Sequence, residues 1–328
     1  MTRTPATRTP AIALLLAALT AGGGALAQGG TTATPGAEPA PDLRPATNPA
    51  AAENADLAYG AYQRGLFLTA FKEASARLER RPDDAAAMTL IGELHQQGLG
   101  LREDPARAAE WFRLAANLGD EHAMFSLGIM ALSGRGVERS PDTARDWLEQ
   151  AAGKGHAAAS YNLALLLLPS DESDDLKRAA ALLRHAAERE VPDAQHALGV
   201  LYARGRGVET DKAEAVRWFT RAAANGSIAG EVERAIALFN GEGVTANEPE
   251  AARLFRRAAF RGNAIAQNRL ARLYVAGRGV PKNEIEAAAW HIMAAGQGLA
   301  DTWLDNALKN LPPDDRARAE KIAAERAS

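Results

Sequence analysis

The chain has 328 residues, 47% hydrophobic and 24% charged, with a formal net charge of -3 and no cysteine. Such a composition suits an ordinary folded, soluble chain, and the near-neutral charge without a basic stripe argues against a nucleic-acid partner. Without cysteine there can be no disulfide framework, thiol nucleophile, thiolate metal site or lipidated N-terminal Cys.

The first expected element is a signal peptide over residues 1–27. Arg3 and Arg8 precede an apolar run from Ala11 to Leu19, and Ala25-Leu26-Ala27 supplies an A-x-A cleavage pattern before Gln28. That run is too short to be a stable membrane anchor, so the chain is read as exported to the periplasm. Residues 28–55 are rich in Gly, Thr, Ala and Pro, with Pro35, Pro39, Pro41, Pro45 and Pro49 too dense for a helix, and are read as a disordered linker. Residues 56–84 read as a degenerate capping pair of tetratricopeptide character, carried by Tyr59, Tyr62, Gly65, Leu66, Ala70, Phe71, Ala74 and Leu78.

Six repeats are expected over 85–298. Trp111, Trp147, Trp218 and Trp290 are separated by 36, 71 and 72 residues. Each follows a Gly-x-Gly: Gly98 and Gly100, Gly134 and Gly136, Gly205 and Gly207, Gly277 and Gly279. A fifth pair, Gly241 and Gly243, keeps the phase with Leu254 in the Trp slot. Self-similarity at such a period means stacked units that bury their apolar faces against their neighbours, with the tryptophans as repeated core pins.

The unit is a helix-turn-helix. In the second copy Ala123, Leu127 and Met130 recur at helical spacing, and Gly128 leaves a point where another helix can approach. Gly134-Arg135-Gly136-Val137 then turns the chain. Ser140 caps the second helix, with Pro141 at its first position; Asp104, Asp211, Asn247 and Asn283 take the capping slot elsewhere. Gly155 ends the unit, as Gly119, Gly226, Gly262 and Gly298 end others.

Two copies depart from the pattern. The third replaces the glycine turn with the acidic run from Pro169 to Asp175, and carries Leu182 in the Trp slot and Glu190 in the final Gly slot. The fifth puts Arg234 where leucine is expected. Beyond the repeats, residues 299–311 read as a closing helix with Trp303 and Leu304, and 312–328 as a charged helix.

This pattern resembles the Sel1-like repeat family. The fourth copy carries Ala194, Leu198-Gly199, Tyr202, Gly205, Gly207-Val208, Asp211, Ala215, Trp218-Phe219, Ala222-Ala223 and Gly226. The resemblance implies an all-α, right-handed α/α solenoid, with the first helix of each unit on the concave side. It also implies a protein-binding scaffold or adaptor in envelope signalling or assembly, holding a sensor, enzyme or secretion component.

The sequence offers little chemistry against that reading. The Gly-x-Gly pairs lack the strand and the further residues of a phosphate cradle. The six histidines (His95, His122, His156, His185, His196, His291) form no metal-ligand set, and no cofactor is expected. Adjacent carboxylates such as Asp174-Asp175 mark helix starts rather than an acid/base pair. An exported hydrolase acting on cell-wall or β-lactam substrates is the alternative class; the family members associated with β-lactamase activity are cysteine-rich, unlike this chain. The candidate contacts for a protein partner are Arg135, Arg206 and Arg278, which could clamp its carboxylates along one edge, together with Glu231 and Arg234 on the fifth copy. Nothing in the sequence sets an oligomeric state.

Overall fold

A computed structural model describes residues 56–327 of the chain; the expected signal peptide and linker lie outside these residues. The described residues form sixteen helices and no strand. An N-terminal pair, α1 (Leu57–Gln63) and α2 (Phe67–Arg80), is followed by α3 (Ala85–Gln97) with α4 (Pro105–Asn117), α5 (Glu121–Ser133) with α6 (Pro141–Gly153), and α7 (Ala157–Leu167) with α8 (Ser173–Glu188). Then come α9 (Pro192–Arg204) with α10 (Lys212–Ala224), α11 (Ile228–Asn240) with α12 (Glu248–Phe260), and α13 (Ala264–Ala276) with α14 (Glu284–Gly296). The short α15 (Thr302–Leu308) closes the array, and α16 (Pro313–Ala327) packs back on α14 through Ala319 and Ala323. Each helix from α1 to α13 packs on the next, which makes the molecule an α/α solenoid. No helix among the described residues is long and apolar enough to cross a membrane.

Short-range chemistry starts and stops these helices. The side chains of Asp104, Ser140, Asp211, Asn247 and Asn283 each accept a backbone N–H three residues on, satisfying a donor that the helix cannot. Their own backbone N–H groups donate to the carbonyls of His95, Ala131, Tyr202, Leu238 and Tyr274, folding five turns to one pattern. The first glycine of each pair, Gly98, Gly134, Gly205, Gly241 or Gly277, ends the preceding helix in the left-handed conformation. The third unit keeps both helices although its connection differs, and Glu172, at the cap position before α8, makes no side-chain cap bond.

The second glycine of each pair does more than the turn expected of it. Gly136 and Gly207 have φ of +78° and +73°, and a Cβ there would stand 2.3 Å from the carbonyl oxygen of Pro105 and 2.2 Å from that of Leu176. Gly243 and Gly279 repeat the approach, with a Cβ meeting the carbonyl oxygens of Lys212 at 2.2 Å and Glu248 at 2.3 Å. All four carbonyls belong to the first turn of the preceding unit's second helix. Gly100 departs in detail: its neighbours are the Phe67 Cβ at 2.9 Å and the Leu68 backbone nitrogen at 3.0 Å, at the start of α2 in the N-terminal pair. Gly100 and Gly243 are exposed and Gly279 is half-buried, so these are surface positions where backbone meets backbone, not sites in the apolar core. The turn is therefore also the point where one unit's backbone rests on the previous unit, a role that turn chemistry within one repeat does not reveal.

The tryptophans do not all serve as core pins. Trp290 and Trp218 are buried, at 1% and 7% exposure, but Trp111 and Trp147 are only half-buried. In the first, second and fourth copies the deeper side chain is the next residue, Phe112, Leu148 or Phe219. These lie over a glycine of the preceding helix: a Cβ at Gly92, Gly128 or Gly199 would come within 2.6, 2.8 or 2.5 Å of them. In the fifth copy Leu254 is fully buried in the Trp slot while Arg234 is half-buried in the Leu slot, so both helices of this pair carry a substitute for the pattern residue.

Candidate interaction groove

In four of the five Gly-x-Gly pairs the middle residue is charged or polar and bonds back to the preceding unit. Arg135 donates to the carbonyl of Gln96 at 2.9 Å and pairs with Glu103 at 2.7 Å. Arg206 donates to the carbonyls of Leu168 and Ser170. In the fifth unit the polarity reverses, Glu242 pairing with Lys212 at 2.8 Å, and Arg278 pairs with Glu248 at 2.6 Å while standing 4.1 Å from the centre of the Phe239 ring. A partner's carboxylate would therefore compete with bonds that Arg135, Arg206 and Arg278 already make.

Glu231 and Arg234 part company. The Glu231 carboxylate is fully buried and pairs with Arg257, with Arg261 at 3.6 Å, both from around the end of α12. Arg234 instead lies close enough to Glu250 to help hold its carboxyl below the usual range, after the larger effect of the Arg253 hydrogen bond. Glu231 belongs to a column, counted four residues past each unit's cap, that runs Met88, Met124, Ser160, Gln195, Glu231 and Gln267, every member buried. Gln195 and Gln267 donate to the carbonyls of Ala187 and Ala259 and accept from Asn225 and Gln297, which ties three consecutive helices together. A carboxylate cannot donate, so Glu231 draws in arginines instead.

An open recess of about 250 Å³ lies between α11, α13 and α15. Ile236 and Phe239 of α11, Leu273 of α13 and Trp303 of α15 give it an apolar lining, and Trp303 is 46% exposed. Arg269, Arg272 and Arg278 also line it, with no carboxylate among the lining residues. Arg272 is committed to the fold, because it grips Asp301 through two hydrogen bonds of 2.7 and 2.8 Å and stands 5.0 Å from the Trp303 ring centre. Burial alone would push the Asp301 carboxyl up, but the bonds from Arg272, Asn268 and the Leu304 N–H, with the charge of Arg272, hold it well below the usual carboxylate range. Arg269 is exposed and makes no hydrogen bond or ion pair among the described residues.

The histidines gather in a way the sequence did not show. His156 caps α7, its Nδ1 accepting the Ala159 N–H at 3.1 Å, and its Nε2 meets His122 Nδ1 at 3.2 Å over the stacked ring of Phe125. His185 meets the Ser160 hydroxyl at 3.0 Å. Among the described residues no three His, Cys, Asp or Glu side chains stand together as metal ligands would.

The family model for the Sel1 repeat matches residues 85–120, 121–156, 157–190, 192–227, 230–263 and 264–299. The chain belongs to the Sel1 repeat family. Sel1 repeat proteins generally serve as non-enzymatic protein-interaction scaffolds. A Sel1 repeat protein from Oxalobacter formigenes is similar in structure, with a TM-score of 0.62 and 27% identity over 74% of this chain and 97% of that one. A protective antigen present in uropathogenic Escherichia coli strains, displaying an SLR fold, shares the architecture at a TM-score of 0.53 and 24% identity over 79% of this chain. This chain spans 64% of that antigen, less than two thirds of its length. No curated protein matches the sequence.

Proposed function

We propose that this Sel1 repeat chain is a non-catalytic scaffold, exported to the periplasm, that holds a protein partner in envelope signalling or assembly. The groove between α11, α13 and α15 is the observation that carries the reading: it combines an exposed tryptophan with an exposed arginine, Arg269, that has no hydrogen-bond or ion-pair partner among the described residues. Exposed aromatic side chains and arginines are the residue types that dominate protein interfaces. The leader pattern over 1–27 supports export.

The test is in-cell cross-linking of the full chain followed by mass spectrometry, with fractionation and identification of the mature N-terminus. Recovery of a reproducible envelope sensor, enzyme or secretion component, and a mature chain that starts at Gln28, are the expected results. Purified chain that turns over nitrocefin or muropeptides, with the activity abolished by a single substitution, would replace this reading by the hydrolase.

A further inference from the structure

Resting on the scaffold reading, we infer that the recess between α11, α13 and α15 receives an acidic peptide segment of the partner. One Asp or Glu side chain of that segment pairs with Arg269, and a neighbouring apolar side chain packs on Ile236, Phe239 and Trp303.

Charge accounting selects this occupant. Three guanidiniums line the recess, but Asp301 neutralises Arg272 and Glu248 neutralises Arg278. On the facing helix Glu233 has Arg204 as its opposing charge, with burial the larger influence on its carboxyl. The surplus is one positive charge, at Arg269. A single charge suits one carboxylate and is far too little for a nucleic-acid backbone, whose binding rests on neutralising several phosphates at once. The whole chain, at -3, adds no attraction for a polyanion.

Geometry agrees with the charge. A recess of about 250 Å³ holds a side chain or two rather than a folded surface. Arg269 and Arg272 also border a second, more open depression with Ile265, Asn268, Asp301 and Thr302, where the Asp301 carboxylate is already paired with Arg272, so the segment can continue past Arg269 on the other side. Arg272 cannot swing into the segment without releasing Asp301, which caps α15 through the N–H groups of Trp303 and Leu304. It therefore holds Trp303 in place, and Arg269 makes the contact.

The test pans a phage library of random peptides of about twelve residues against the purified full chain, and measures recovered peptides by fluorescence anisotropy. The expected winners carry Asp or Glu beside Trp, Phe or Leu. Arg269→Glu is expected to weaken them about tenfold or more, as reversal of a paired interface charge does, and Trp303→Ala to weaken them too. Replacing the peptide's acid with Lys is expected to restore binding to the Arg269→Glu chain. Because Arg269 makes no hydrogen bond or ion pair among the described residues, an unchanged melting temperature checks that the variant is folded. Winners without an acidic preference, binding indifferent to Arg269→Glu, or an oligonucleotide or a second copy of the chain as the preferred occupant would overturn the inference. In-cell cross-linking of Arg269→Glu separates the two levels. Partners retained at wild-type yield sink the groove and leave the scaffold standing, whereas a wild-type chain that captures no protein sinks the scaffold itself.

Discussion

Single residues in this array can be ranked by what their backbone and their neighbours each demand. Glu190 is the one described residue other than glycine with positive φ, at +63°, and it occupies the slot filled by Gly119, Gly155, Gly226, Gly262 and Gly298 in the other units. A left-handed conformation costs an L-residue about 1–2 kcal/mol, so Glu190→Gly is expected to stabilise the protein by about 1 kcal/mol, less the extra freedom glycine gains on unfolding. Gly226 has φ +92° and open space around its Cβ position, so Gly226→Ala should cost only that conformational term, about 1 kcal/mol. Gly207→Ala adds a Cβ 2.2 Å from the Leu176 carbonyl oxygen, and the required backbone shift should raise the cost to about 3 kcal/mol. Urea midpoints of the three variants measure the order. Equal losses at Gly226 and Gly207 would mean that the unit-to-unit backbone contact contributes nothing.

At the scale of the helix, α7 is built differently from its counterparts because a histidine caps it. To accept the Ala159 N–H, Nδ1 of His156 must be unprotonated, so its proton sits on Nε2 and is donated to His122 Nδ1. Burial first, and then the His122 charge, lower the His156 pKa, with Glu121 and Asp120 opposing the shift. A depressed histidine contributes stability that is present above its unfolded value, near 6.5, and lost as pH falls through the folded value. Amide exchange at the start of α7 is therefore expected to quicken as pH falls below about 6.5, after correction for intrinsic rates. His156→Asn, which keeps a capping side chain, should remove that dependence, and an unchanged profile in the variant would rule out the histidine cap as its source.

Caps and turns of this kind were legible in the sequence because Asp104, Ser140, Asp211, Asn247, Asn283 and the glycine pairs act within a few residues of themselves. What was not legible depends on neighbours about 36 residues away. Gly243 and Gly279 read as turn-formers, yet each also seats its unit on a carbonyl of the helix before. Arg135, Arg206 and Arg278 look solvated in a turn, yet each bonds to the unit before it. Gln195, Glu231 and Gln267 look like exposed polar helix residues, yet they are fully buried. Arg269 carries no motif. Its one signal is a register column six residues past each cap, Leu90, Ser126, Asn162, Ala197, Glu233 and Arg269, which turns from uncharged to charged only in the last two units.

The whole molecule combines continuous helix stacking with an interrupted apolar core. Its buried apolar residues fall into an N-terminal group around Ile91 and Leu94, a second running from Met88 to Trp218, and a third from Val232 to Ala323. The second and third meet where α11 stacks on α10, and there the contact is between small residues: a Cβ on Gly230 would touch that of Ala222 at 2.5 Å. Beside it sits the buried Glu231 with its arginines, an arrangement whose desolvation offsets most of its attraction. In a repeat array, coupling passes only through nearest-neighbour interfaces, so a thin apolar interface is a place where cooperativity can divide. Leu198 and Leu270, both fully buried, sit in the two groups on either side, and truncating either to alanine should cost about 2–5 kcal/mol. For Leu270→Ala, hydrogen exchange is expected to show lost protection in α11–α16 while α5–α8 keep most of theirs; for Leu198→Ala the loss should fall mainly on the units before α11. Equal loss throughout in both variants would show that the stacking of α10 on α11 couples the two blocks as strongly as any other pair in the array.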